Sequence, residues 1–186
     1  MKIVGLAGWS GAGKTTLLTR VLPIMTRRGV GVSTLKHAHH AFDIDKPGKD
    51  SHAHREAGAR EVLIASARRW ALMHELREEA EPDLAMLLQR LSPVDLVIVE
   101  GFKGEAHPKV EIHRAANGKP LLFPEMSNVH GLVTDAVCPE WTGPRVGIDD
   151  VEAATDLLLQ TAQPLAEVLA TLKAAPAQPR ATRKAG

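Results

Sequence analysis

Eight residues near the N-terminus, Gly8-Trp9-Ser10-Gly11-Ala12-Gly13-Lys14-Thr15, match the pattern G-x-x-x-x-G-K-[ST]. Such a loop works only if successive backbone N–H groups point into one concavity, which glycines allow and side chains obstruct. It also needs a strand before it and a helix after it. Residues 3–7 are a short apolar run ended by glycine, as for a strand covered on both faces. After the loop, Leu17, Leu18, Val21 and Leu22 fall on one face of a helix that Arg27-Arg28-Gly29 ends with cations and a glycine. Residues 30–35 read as a second strand, so the chain opens as a βαβ unit. The expected class is α/β: a P-loop NTPase fold with a mostly parallel sheet flanked by helices. A chance match would lack this flanking strand and helix.

The chemistry follows from the loop. Successive backbone N–H groups of the loop from Gly8 through Ser10 to Thr15 would hold nucleotide phosphates, with the N-terminus of the helix adding unpaired donors. Lys14 should reach the β and γ phosphates, and the Thr15 hydroxyl should ligate Mg²⁺. A carboxylate for the metal or its water is expected at the end of a neighbouring strand. Residues 94–99 form such a strand, followed by Glu100 and Gly101, where Asp is the commoner residue. Glu100 is therefore read as a metal-linked or water-orienting group, against the simpler view that it only ends a strand.

Further along, residues 36–51 form a polar loop, 51–59 a short helix, 61–65 and 70–73 two strands, and 82–91 a helix with Pro82 at its start. A weaker strand at 109–113 and a last strand of the sheet at 131–134 follow. A final helix capped by Asp149 or Asp150 should run to about Leu172. One domain over 1–172 is expected. From 173 to 186 the composition turns to Ala, Pro, Gln and basic residues, the signature of a disordered tail.

Bulk properties exclude some partners. A formal charge of +1, from 23 basic and 22 acidic residues, gives no global attraction for nucleic acid or anionic membrane. The single cysteine, Cys138, cannot form an intramolecular disulfide. No apolar run approaches a membrane span, and the chain is read as soluble and cytoplasmic.

Five of the nine histidines lie between Lys36 and His54: His37, His39, His40, His52 and His54. A zinc site is one reading, weakened because Cys138 is distant and because His52 and His54 project from nearly opposite sides of a helix. A γ-phosphate-sensing loop is another, with Asp43, Asp45 and Asp50 as magnesium contacts and Lys46 and Lys49 as anion contacts. A solvated loop without specific role is the third.

Three stretches together resemble the MobB family: G-W-S-G-A-G-K-T-T, the run K-H-A-H-H-A-F-D-I-D-K-P-G-K-D-S with H-R-E-A-G-A after it, and V-E-G-F-K. The resemblance spans about residues 1 to 135. It implies a GTP-binding accessory protein of molybdopterin guanine dinucleotide biosynthesis that binds GTP with Mg²⁺, hydrolyses it weakly, and forms a homodimer. The implied partner is the MobA-type molybdopterin guanylyltransferase, with molybdopterin itself a further candidate. The resemblance implies phosphate contacts at Gly11, Ala12, Gly13, Lys14, Thr15 and Thr16, and metal-linked roles for Glu100 and Asp45 beside the Thr15 hydroxyl. The usual Asn/Thr-Lys-x-Asp element for guanine is missing. The nearest candidate is Thr134-Asp135, whose carboxylate could accept from guanine N1–H and its amine.

Two other functions compete. A small-molecule kinase would use the same loop with an acceptor pocket and an arginine-bearing lid, for which Arg68-Arg69 and residues 103–107 are the available parts. A nucleic-acid binder rests only on Lys173, Arg180, Arg183 and Lys184, without aromatic residues between them. Nothing resembles a built-in arginine finger, although Arg55, Arg60, Arg68 and Arg69 are present, so slow basal hydrolysis is expected.

Overall fold

The computed structural model describes residues 1–38 and 42–174, which divide into two compact units: one up to His37 and from Leu84 onward, the other over residues 38–83. His39, His40 and the tail from 175 lie outside the described residues.

The elements run β1 (Lys2–Ala7), α1 (Lys14–Arg27), β2 (Val32–Lys36), α2 (Asp50–Glu56), β3 (Glu61–Ala65), β4 (Trp70–His74) and α3 (Leu84–Arg90). They continue with β5 (Leu96–Glu100), β6 (Lys109–His113), β7 (Val129–Thr134), β8 (Arg145–Gly147), α4 (Val151–Thr161), β9 (Gln163–Pro164) and α5 (Leu165–Ala174). In the first unit the sheet order is β2-β5-β1-β6-β7-β8, every neighbouring pair parallel. The short β9 pairs antiparallel with Lys2 and Ile3, beside the half of β1 that β6 does not reach. This is the expected P-loop fold. The order changes direction about β1, which places the loop after it at the switch point where open α/β sheets bind ligands.

Alternation along the strands divides the core. Val4, Leu6, Ile98, Val110, Ile112 and Val133 face α1 and α4, meeting Leu17, Val21, Met25, Leu157 and Leu158. Ile3, Val97 and Val99 face the other way, against Leu84 and Leu88 of α3 and Val168 of α5. Both sides of the central strands are buried, which is why they read as unbroken apolar runs.

Three expectations are corrected. The strand at 131–134 is not the last, because β8 follows it at the edge. The final helix is two helices: Asp150 caps α4 by accepting from Ala153 N–H at 3.0 Å, but α4 ends at Thr161, and the chain extends through Ala162 and β9 before α5 begins. Pro164 disfavours helix in the residue before it, which accounts for the break. Finally, residues 109–113 read in the sequence as a short strand able to pair across a twofold axis and cover a sheet edge. They form an interior strand between β1 and β7.

The second unit holds α2 and the antiparallel hairpin β3–β4. Arg55 binds Asp43 at 2.8 Å and Glu75 at 3.1 Å, and Asp45 accepts from Ser51 Oγ at 2.8 Å and from Lys46 N–H at 3.0 Å. The loop before α2 is therefore tied by its own side chains.

The face of β6 turned away from α1 carries Lys109, Glu111 and His113, an unusual lining for a central strand. Lys109 is fully buried, and its ammonium donates to the Glu105 and His107 carbonyls. Burial pushes its pKa down to about 8, and burial together with the Lys109 charge pushes buried His107 down to about 3. Between about pH 8 and 10.5 the unfolded chain retains the lysine proton that the folded chain has released, so stability should rise with pH there. The slope should be up to about 1.4 kcal/mol per pH unit. Urea titrations across this window should show the rise in the natural protein and its loss in Lys109→Met; an equal slope in both would refute the assignment.

Candidate functional site

The strand register brings the chemically interesting residues to one edge of the first unit's sheet. Leu6 of β1 pairs with Glu100, which also pairs with Lys36, and His113 pairs with Thr134. The loop at 8–13, Lys36, Glu100, Arg114 and Asp135 thus all sit at carboxyl ends of strands.

The loop adopts the conformation its glycines predict. Gly8, Gly11 and Gly13 have φ of 144°, 81° and 94°, and Gly13 sits at the head of α1. A side chain at Gly8 would meet the Ile112 carbonyl oxygen at 2.5 Å. Lys14 folds back to donate to the carbonyls of Gly8 at 2.8 Å and Trp9 at 3.0 Å. Partial burial lowers its pKa, opposed by the attraction of Glu100 and reinforced by Lys103 and Lys36. Ser10, Thr15 and Thr16 are exposed around this turn, while Ala12 is buried beneath it.

Glu100 is mostly buried and faces Lys36 Nζ at 3.8 Å. The chain leaves it sharply. Gly101 has φ of 97°, and a side chain there would collide with His37 Cβ at 2.7 Å; Phe102 also has positive φ, 48°, and packs on the His37 ring at 4.6 Å. Strain of order 1 kcal/mol is held here by packing. The turn delivers Lys103, whose Nζ lies 4.7 Å above the centre of the Trp9 ring.

On the other side, Asp135 accepts from the Ala115 N–H at 2.7 Å and stands 4.0 Å from Arg114. That hydrogen bond, more than the Arg114 charge, holds its carboxyl below the usual range. The 3-10 turn Ala115–Asn117 then aims Asn117, which donates to the Ser10 carbonyl at 3.0 Å. The following segment is fastened at several points. Trp9 donates to the Pro120 carbonyl at 2.8 Å, His113 Nε2 pairs with the Lys119 carbonyl at 3.1 Å, and buried Glu111 accepts from Leu122 and Phe123 N–H.

Lys14, Glu100 and Asp135 are therefore gathered with the loop in one unit. Asp45 belongs to the second unit, where its Oδ2 is buried without a hydrogen-bond partner among the described residues. The arginines considered as fingers, Arg55, Arg60, Arg68 and Arg69, are all in that unit, and Arg55 is held by two carboxylates. Among the described residues no group of three His, Cys, Asp or Glu side chains is placed to hold a metal, and no helix is long and apolar enough to cross a membrane. Arg114 and Asn117 were missed. The available signal was their position just beyond the strand at 109–113, on the same edge as the loop.

Residues 3–135 match the family described as molybdopterin guanine dinucleotide synthesis protein B. The chain is 47% identical over 118 residues to the molybdopterin-guanine dinucleotide biosynthesis adapter protein of Escherichia coli (strain K12), covering 62% of this chain and 67% of that protein. It is 45% identical over 120 residues to the corresponding adapter of Haemophilus influenzae, covering 64% and 67%. A crystal structure of molybdopterin-guanine biosynthesis protein B superimposes with a TM-score of 0.67 at 30% identity, over 85% of this chain and 97% of that one. Bacillus subtilis MobB superimposes with 0.67 at 25% identity, over 88% and 99%. With the family's sequence pattern, fold and loop all present, the chain belongs to the MobB family.

Proposed function

We propose that this chain is a GTP-binding adapter in molybdopterin guanine dinucleotide biosynthesis, acting with the guanylyltransferase that joins GMP to molybdopterin. The observation that carries the reading is the phosphate loop at the head of α1, with Lys14 at its centre and Glu100 beside it, in a chain 47% identical to a protein named as an adapter of that pathway.

Gly8, Ser10, Gly11, Ala12, Gly13, Thr15 and Thr16 would surround the phosphates, and Lys14 would exchange the Gly8 and Trp9 carbonyls for phosphate oxygens. Asp135 would meet guanine at the far end of the site. The donors near Lys14 suit Mg²⁺: the Thr15 hydroxyl and the Glu100 carboxylate are hard oxygens, and magnesium takes few protein ligands, relying on phosphates and water for the rest. When bound, the ion would neutralise charge on the phosphates. Glu100 would orient the attacking water. With the second unit's Arg55 already engaged by Asp43 and Glu75, hydrolysis by the isolated protein would be slow.

The homodimer is supported by the hairpin, which exposes Leu63, Ile64, Trp70 and Leu72 at 63%, 42%, 68% and 44%. Apolar exposure of this kind on a two-stranded sheet fits coverage by a second copy.

Reconstitution tests the adapter role. Adding the natural protein to guanylyltransferase, GTP and molybdopterin should raise the yield of the dinucleotide, and Lys14→Ala should not; equal stimulation by both would sink the nucleotide-dependent reading. For hydrolysis, Glu100→Gln should lower the already slow GTP turnover at least about tenfold while leaving GDP affinity within about twofold. Rapid turnover by the natural protein alone, or no effect of the substitution, would contradict the assignment of Glu100.

A further inference from the structure

The charged groups around the loop fall on two sides of β1. Those acting on Lys14 are Glu100, Lys103 and Lys36, which come from the β5 and β2 side. Arg114 is placed differently. It follows β6 and lies beside the glycine that starts α1: a Cβ at Gly13 would stand 3.9 Å from both its Nε and its Nη2. Its carboxylate neighbour is Asp135, from the end of β7, at 4.0 Å.

A nucleoside triphosphate lying along this loop has a direction. Lys14 would take its terminal phosphates, with Glu100 serving the metal or the attacking water on the β5 side, so the sugar and base would leave over the ends of β6 and β7, past Gly13. The side chain lining that path is a half-buried, planar guanidinium with a carboxylate oxygen 4.0 Å away. Guanidinium planes stack on aromatic faces, whereas a lysine offers only a point charge. Asp135 is already partly engaged, its Oδ1 accepting the Ala115 N–H.

We propose that Arg114, oriented by Asp135, is a base-side residue of the nucleotide site, its guanidinium packing against the face of the guanine rather than neutralising the terminal phosphate. The role rests on the GTP-binding reading above and adds to it a residue on the base side of the site. It also gives Asp135 two tasks: shaping the turn at Ala115–Asn117 and steering Arg114.

Affinities of GTP and GDP for the full chain, measured by calorimetry, test the assignment. Arg114→Ala should weaken both nucleotides by a similar factor, about tenfold, leaving their ratio unchanged. Arg114→Lys, which keeps the charge and loses the plane, should recover less than half of that loss on a logarithmic scale. Loss of GTP affinity with GDP unchanged would place Arg114 on the terminal phosphate, full recovery in Arg114→Lys would make it a point charge, and unaltered binding in Arg114→Ala would remove it from the site; each overturns the proposal. Lys14→Ala separates the two levels. If it weakens GTP while Arg114→Ala does not, only the role of Arg114 fails. If the natural protein binds neither nucleotide, or Lys14→Ala binds as well as it does, both readings fail.

Discussion

A backbone loop whose N–H groups must converge on an anion cannot satisfy those groups within itself, so its shape has to be held from outside. Much of the first unit serves that constraint. Positive φ at Gly8, Gly11 and Gly13 makes the turn possible, and contacts from distant segments keep it from relaxing: Asn117 on the Ser10 carbonyl, the Pro120 carbonyl on the Trp9 indole, and the Ile112 carbonyl against Gly8. Lys14 occupies two loop carbonyls, which keeps its charge within the turn. Preorganisation of this kind lowers the entropy lost on binding.

The segments that brace the loop are themselves anchored by polar groups on one face of β6. Glu111 takes two backbone N–H groups of the segment at 122–123, His113 joins Lys119 to Thr134, and Lys109 gathers the carbonyls of Glu105 and His107. An apolar strand would have packed at lower desolvation cost but could not have bound irregular backbone, whose donors and acceptors need partners. The price of this bracing is the buried lysine and imidazole, both held below their ordinary pKa values.

The start of the fold is legible in the sequence because a G-x-x-x-x-G-K-T loop, an apolar run before it and a one-sided helix after it all demand the same βαβ geometry. The interior strands β1 and β5 are equally readable, being apolar on both faces. Strand β6 looked weak because Lys109, Glu111 and His113 alternate with Val110 and Ile112, a pattern that suggests one wet face; the structure buries both faces and satisfies the polar one with backbone. The break between α4 and α5 turned on Pro164, hidden within a long apolar pattern. Glu100 was readable from its place at a strand end, and Asp135 likewise. Arg114 and Asn117 were not, since their importance comes from β6 lying next to β1, a pairing between segments a hundred residues apart.

The proposed role depends on the site selecting guanine nucleotides, with the loop holding the phosphates and Asp135 the base. Calorimetric titration of the full chain with GTP and with ATP, each with Mg²⁺, tests it most directly. Saturable GTP binding is expected, with ATP at least about tenfold weaker. Equal affinity, or preference for ATP, would contradict it and shift the weight to phosphate transfer onto a small molecule.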